Sequence, residues 1–197
     1  MYDLAESLVE KHNESDDFDG LKLDVISNLG IDVPFDANEF KHSKAEDLVE
    51  RLYESAKDTY IKKTQLVGER ALPLIKNVYE TQPGYKNILI PFTDGKKGMN
   101  VVVNIEKAVN NGAREISLAL EKSITLGMID EAWKEHLREL DDLKQSVQNA
   151  HYEQKDPLLI FKFESFNLFK EMILKINREV ISFLMKSDLP MPDPNTI

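Results

Sequence analysis

The sequence predicts a mainly α protein: a set of packed helices, one small β-hairpin, and a long antiparallel pair of helices towards the C-terminal end. Three observations carry this. Apolar residues recur at three- and four-residue spacing through most of the 197 residues. That rhythm breaks once, over residues 86–106, where two β-branched runs flank a glycine-containing turn. Two consecutive apolar seams near the C-terminal end are then joined by a short polar connection.

The opening residues read as two short helices. Leu4, Leu8 and Val9 line the first; Leu21, Val25 and Leu29 line the second, from about Phe18 to Leu29. Gly30 closes it, because glycine enters the left-handed capping conformation without steric cost. A loop through Pro34, Asp36 and Asn38 follows. Ser43-Lys44-Ala45-Glu46 has capping-box spacing and should start a long helix carrying Ala45, Leu48, Val49, Leu52, Ala56 and Tyr60. The pattern continues through Val67, Leu74 and Val78; Pro73 should kink it, and Pro83-Gly84 should end it.

Ile88–Ile90 and Val101–Val103, on either side of Thr93-Asp94-Gly95-Lys96-Lys97-Gly98, read as a hairpin over about residues 84–106. Two strands alone are marginal in water, so the hairpin should lie on the helices or on a partner. After Gly112 a helix runs to about Asn149, with Leu126, Ile129, Trp133, Leu137, Leu140 and Val147 as its stripe. Ala150 to Pro157 connects it to a last helix, which Asp156 and Pro157 should start as N-cap and first helical residue. Phe166, Phe169, Ile173, Ile176, Val180 and Leu184 form that helix's seam. The two arms should fold back on each other, each on the order of 45 Å long. Trp133, Phe166 and Phe169 are the expected structural anchors of this pair. Residues 188–197, with Pro190, Pro192 and Pro194, should form a disordered tail.

Composition narrows the function classes. Lys and Arg number 25 against 35 Asp and Glu, a net charge of -10, which disfavours nucleic acid as a partner. Cysteine is absent, excluding disulfides, thiol catalysis and cysteine metal sites. The start has neither the basic residues nor the apolar run of a signal peptide, and no stretch reaches the roughly 20 apolar residues of a membrane span, so a soluble protein is expected. Glu39-x-x-His42 has a metal-site spacing, but such sites need a second copy and further carboxylates. His136 lies about 60° from the seam of Trp133 and Leu137 and reads as a boundary residue. Asp94-Gly95-Lys96-Lys97-Gly98 lacks phosphate-loop spacing and reads as a hairpin turn. No catalytic, cofactor or metal residues are therefore assigned. Tyr152, in the connection between the two arms, is either a structural cap of the hairpin's end or an exposed contact for other polypeptides.

Three blocks carry a family resemblance. Ile129-Asp130-Glu131-Ala132-Trp133-Lys134-Glu135-His136-Leu137 resembles the Leu/Ile-Asp-x-x-Trp-Lys-Glu-His-Leu signature of the SecA scaffold. Tyr152-Glu153-Gln154-Lys155-Asp156-Pro157 resembles its Tyr-Ala-Gln-Lys-Asp-Pro fingertip, and Phe161-Lys162-Phe163-Glu164-Ser165-Phe166 its return helix. Gly20-Leu21 and Val67-Gly68-Glu69 are similar to residues of the family's helical wing, and residues 81 to about 112 look like an insertion. Ala150-His151 stands where the family has Arg-Gly.

The resemblance implies a helical wing over residues 1–113, with the inserted hairpin, and a two-helix finger over residues 114–187. It implies a role in ATP-driven protein translocation, with the SecY channel, the unfolded preprotein and the remaining SecA motor domains as partners. By resemblance, the fingertip residues Tyr152, Gln154 and Lys155 contact the preprotein, and the region regulates the motor ATPase. ATP and magnesium belong to motor domains outside this chain, which by itself should not be an enzyme. The implied location is the cytoplasm, peripherally at the bacterial inner membrane. The competing reading is a stand-alone helical scaffold or adaptor protein.

Overall fold

A computed structural model describes residues 1–148 and 156–190. Among these, helices α1 (Tyr2–Asn13), α2 (Phe18–Leu29), α3 (Ala37–His42) and α4 (Ala45–Thr81) precede strands β1 (Asn87–Thr93) and β2 (Gly98–Asn104). Helices α5 (Ile105–Asn111), α6 (Ala113–Gln148) and α7 (Pro157–Lys186) follow. The protein is mainly α with one inserted hairpin. The described chain divides into two compact units: Met1–Ser123 together with the chain from Ile181, and Ile124–Val180.

The first unit is built around α1, α2 and α4. Ala5, Leu8 and Val9 of α1, Leu21, Val25 and Leu29 of α2, and Leu48, Val49, Leu52 and Ala56 of α4 share one core with Phe35, Phe40 and Met185. Local chemistry sets the ends of these helices. Asp17 accepts the Gly20 N–H at 2.9 Å, and Gly30 takes φ 65°, its N–H donating to Ile26 O. His12 is buried, with Nε2 2.8 Å from the Asp24 carboxylate and Nδ1 3.4 Å from that of Asp17. Asp24 also accepts from Lys11 at 2.7 Å, and the bonds from Lys11 and His12 hold its carboxyl below the usual range.

Two local expectations need correction. The capping box forms at Asp36 and Glu39, not at Ser43 and Glu46, and it starts α3 where a loop was expected. Asp36 Oδ1 accepts from the Asn38 and Glu39 N–H groups, and Glu39 returns to the Asp36 N–H at 3.0 Å. Ser43 ends α3, and Lys44 precedes α4 with no side-chain cap. Both segments carry the same acceptor-x-x-Glu pattern; at the first, Arg51 adds to the box, donating to Glu39 at 2.9 Å and to Pro34 O at 2.7 Å. The Arg51 bond, with the Asp36 N–H, holds the Glu39 carboxyl below its ordinary value. α4 continues through Pro73 as one element of 37 residues.

The hairpin forms as expected, within the expected span. Its register pairs Ile88 with Val103, Ile90 with Val101 and Phe92 with Met99. Ile90, Phe92, Val101 and Val103 are buried, while Leu89, Pro91, Asn100 and Val102 are exposed. Asn104 ends β2 and caps α5, its Oδ1 accepting the Lys107 N–H at 2.9 Å.

The chain after Ile181 is tied into this unit at several points. Lys63 Nζ donates to Leu184 O at 2.6 Å, and Lys186 Nζ to Ser27 O at 2.7 Å. Asp188, the first residue of the expected tail, is instead held on two sides: Arg70 donates to both its oxygens at 2.9 and 3.0 Å, and its backbone pairs with Thr93. The tail from residue 191 lies outside the described residues.

Candidate functional site

The second unit, Ile124–Val180, contains most of α6 and α7, including Trp133, His136, Phe166 and Phe169. α6 has 36 residues and α7 30, or about 54 and 45 Å at 1.5 Å per residue. Asp156 and Pro157 start the return arm as expected. The Asp156 carboxylate accepts the Leu158 N–H at 2.9 Å, and its carbonyl accepts the Ile160 N–H at 3.1 Å.

The buried face of each arm agrees with the expected one at Val147 and Ile176 and differs from it elsewhere. Ile124, Met128, His136 and Val147 are buried on α6, with Ala132, Leu140 and Leu143 half-buried; Met172 and Ile176 are buried on α7. Trp133 keeps 46% of its surface exposed, Phe166 59% and Phe169 43%. The anchors expected at these three positions are therefore not the buried centre of the pair. Over part of each arm the observed stripe stands one residue earlier: Met128 for Ile129, Ala132 for Trp133, His136 for Leu137, and Met172 for Ile173. One residue is about 100° of rotation. Both helices are apolar over more than one face, and bulk pointed to the face carrying the rings. A two-helix pair can bury only one face of each arm.

His136 is correspondingly a seam residue and not a boundary one. Its side chain is 3% exposed and lies between two rings, with centroids 5.6 Å from Trp133 and 6.0 Å from Phe169. Its Nδ1 has no hydrogen-bond partner among the described residues. Trp133 and Phe169 flank this imidazole and stay partly exposed, as do Leu126, Ile129, Leu137 and Ile173. The two charged pairs on α6 point outward: Lys134 with Asp130 at 2.6 Å and Arg138 with Glu135 at 2.8 Å. Glu135 and His136 thus face different surroundings. The expected fingertip residues, Tyr152, Gln154 and Lys155, lie outside the described residues.

Sequence reasoning missed a second polar cluster, in the first unit. Tyr60 donates to Glu121 at 2.8 Å, and burial, then this acceptor, pushes its phenol above the usual range. Burial strips water from the Lys63 ammonium and pulls its pKa down to about 8. Lys62, Lys63, Leu66, Val67 and Arg70 line one face of α4 beside Asp188, around a recess of about 350 Å³. The signal was present as Lys63 inside an apolar repeat, but its burial depends on the return of α7.

A helical domain carrying a hairpin insertion, and a long two-helix arm, are the class of fold that these residues define. Comparison with known proteins identifies the family. Residues 1–188 match the family described as SecA Wing and Scaffold domain, and the chain belongs to that family. It is 46% identical over 197 residues to the protein translocase subunit SecA of Parabacteroides distasonis, covering 100% of this chain and 17% of that one. The SecA of Phocaeicola vulgatus is 48% identical over 185 residues, 93% of this chain and 17% of the relative. That of Flavobacterium psychrophilum is 45% identical over 197 residues, 99% of this chain and 18% of the relative. The chain thus spans under a fifth of the relatives it matches.

Proposed function

We propose that this chain is the wing and two-helix finger of a SecA-type translocase, contacting the unfolded preprotein and the SecY channel through Tyr152, Gln154 and Lys155. ATP and magnesium are handled by motor domains outside these residues, whose hydrolysis the finger restrains. The chain itself binds no nucleotide in this reading. It sits on the cytoplasmic side of the bacterial inner membrane as a peripheral component; no described helix is long and apolar enough to cross a membrane. The wing spans residues 1–113 and the finger residues 114–187, with the tip at the connection.

The observation that supports the reading most is the family match over residues 1–188, coupled to two long arms that bracket the Tyr152-to-Pro157 block. In the sequence Tyr152 stands in a polar stretch, His151-Tyr152-Glu153-Gln154-Lys155-Asp156, with no apolar neighbours to form a core around it. Tyr152→Ala should therefore leave the thermal midpoint of this chain within the range of a surface change, about 0.5 kcal/mol. In a full-length SecA-type translocase carrying this chain as its wing and scaffold, the same change should slow preprotein transport. Tyr152→Phe should be mild, since the ring face supplies the contact. Normal transport by Tyr152→Ala, together with unfolding of the chain, would make the tyrosine a structural cap and overturn the proposal.

A further inference from the structure

A two-stranded sheet has two edges, each with unpaired backbone groups unless something covers it. In an antiparallel ladder the N–H and C=O of one residue point to the same side, and successive residues alternate. The observed bonds fix that alternation here. Thr93 exchanges both backbone bonds with Asp188, at 2.9 Å each, so it points away from β2. Asp94 N–H donates to Lys97 O at 3.1 Å and Ile105 N–H to Lys86 O at 3.0 Å, marking inward positions at both ends. With the pairing between them, the outward residues are Asn87, Leu89, Pro91 and Thr93 on β1, and Gly98, Asn100, Val102 and Asn104 on β2.

The two edges differ. On β1, Thr93 is already paired, and Pro91 has no N–H to offer an incoming strand. On β2, Gly98, Asn100 and Val102 present N–H and C=O groups with no hydrogen-bond partner among the described residues. All three are exposed, Val102 at 57%. Asn104 ends this edge by turning the chain into α5. The β1 edge is closed at Pro91 and Thr93; the β2 edge is open from Gly98 to Val102 among the described residues.

We infer that the β2 edge, Gly98 to Val102, is a docking strand on which an extended, unfolded polypeptide adds to the hairpin as a third strand. The inference rests on the translocase reading above and gives the wing a contact of its own with the cargo. Main-chain bonds of this kind are available to any unfolded sequence, and a translocase must accept many. Val102, beside Leu89 on the outer face, adds a preference for β-branched or apolar residues at alternate cargo positions. An edge of five residues is about 17 Å long, and pairing along it buries far less than the roughly 1,200 Å² of a stable interface. A second copy of this chain would therefore not be held there, whereas a weak, sliding contact suits a chain that moves.

The test uses the isotope-labelled 197-residue chain and a synthetic peptide of alternating threonine and valine. The amides of Gly98, Asn100 and Val102 should shift and exchange more slowly as peptide is added, while those of α1 and α2 stay unchanged. The same peptide N-methylated at every residue should bind about tenfold more weakly or not at all. Asn100→Pro, which deletes an outward donor on β2, should weaken binding similarly; Leu89→Pro, the same change on the closed edge, should not. If Asn100→Pro fails to fold, the methylated peptide still decides. Equal binding of both peptides, or shifts confined to other residues, overturns the inference. So does concentration-dependent protection of the edge without peptide, which would assign it to a second copy. None of these readouts passes through Tyr152 or transport. Loss of peptide binding with an intact Tyr152 effect therefore sinks this inference alone, and the reverse sinks the translocase reading alone.

Discussion

Adding one methyl group at Gly68 measures how closely α4 and α6 cross. A Cβ at this position would stand 2.1 Å from Ala113 Cβ and 2.8 Å from Ala113 Cα, where ordinary contact begins at 3.4 Å. The atoms in the way include backbone, so no side chain can swing aside, and the helices must part by more than an ångström. Overpacking of this kind typically costs about 1–3 kcal/mol, and the backbone clash places Gly68→Ala near the upper end. Alanine is also the better helix former, by about 0.8–1.0 kcal/mol over glycine. The expected net loss is about 2 kcal/mol. At about 2–4 °C per kcal/mol for a chain of this size, the thermal midpoint by far-UV circular dichroism should fall by about 4–8 °C. Combining it with Ala113→Gly removes the nearer contact and should recover at least half of the loss beyond what Ala113→Gly costs alone. A midpoint that rises by a few degrees in Gly68→Ala, the helix-propensity gain unopposed, would refute the close crossing.

Two further outcomes follow from the geometry. Trp133→Ala should cost about 1–2 kcal/mol in this chain, because nearly half of the indole is exposed, and not the 3–5 kcal/mol of a fully buried ring; chemical denaturation distinguishes the two. Lys63 gives a pH dependence whose sign is set by its lowered pKa. Between about pH 8 and the ordinary lysine value, the unfolded chain holds the proton that the folded chain has released, so stability should rise with pH there, by on the order of 2 kcal/mol. Tyr60 acts oppositely above about pH 10, where the unfolded phenol loses its proton first, so the rise should turn over; Lys63→Met should flatten it.

The helix starts show where local sequence suffices and where it misleads. Asp156-Pro157 and Gly30 act as their residue types require, because a cap involves only neighbours along the chain. The capping-box pattern occurs at both Asp36 and Ser43, and only the first forms; Arg51, which bonds to its Glu39, lies 12 positions further on. Helix α5 was hidden because its seven residues follow β2 directly, with Asn104 serving both elements. In the candidate site, the signature around Trp133 was readable as family membership, yet the indole's place in the pair was not. Both the 128-132-136 and 129-133-137 stripes are apolar enough to face a partner, and counting bulk chose the second.

By itself the sequence determined the helical class, the hairpin, the two-arm ending and the family, since periodicity, turn chemistry and contiguous signatures all live within a few residues. Only the tertiary structure decided which face of each arm is buried and that His136 sits between Trp133 and Phe169. It alone decided that Lys63 is partly desolvated, that Gly68 has no room for a side chain, and that Asp188 pairs with Thr93 on one edge of the hairpin while Gly98, Asn100 and Val102 on the other have no partner among the described residues. The reason is physical: each of these depends on distances between residues tens of positions apart, which burial and backbone pairing set only once the whole unit has packed.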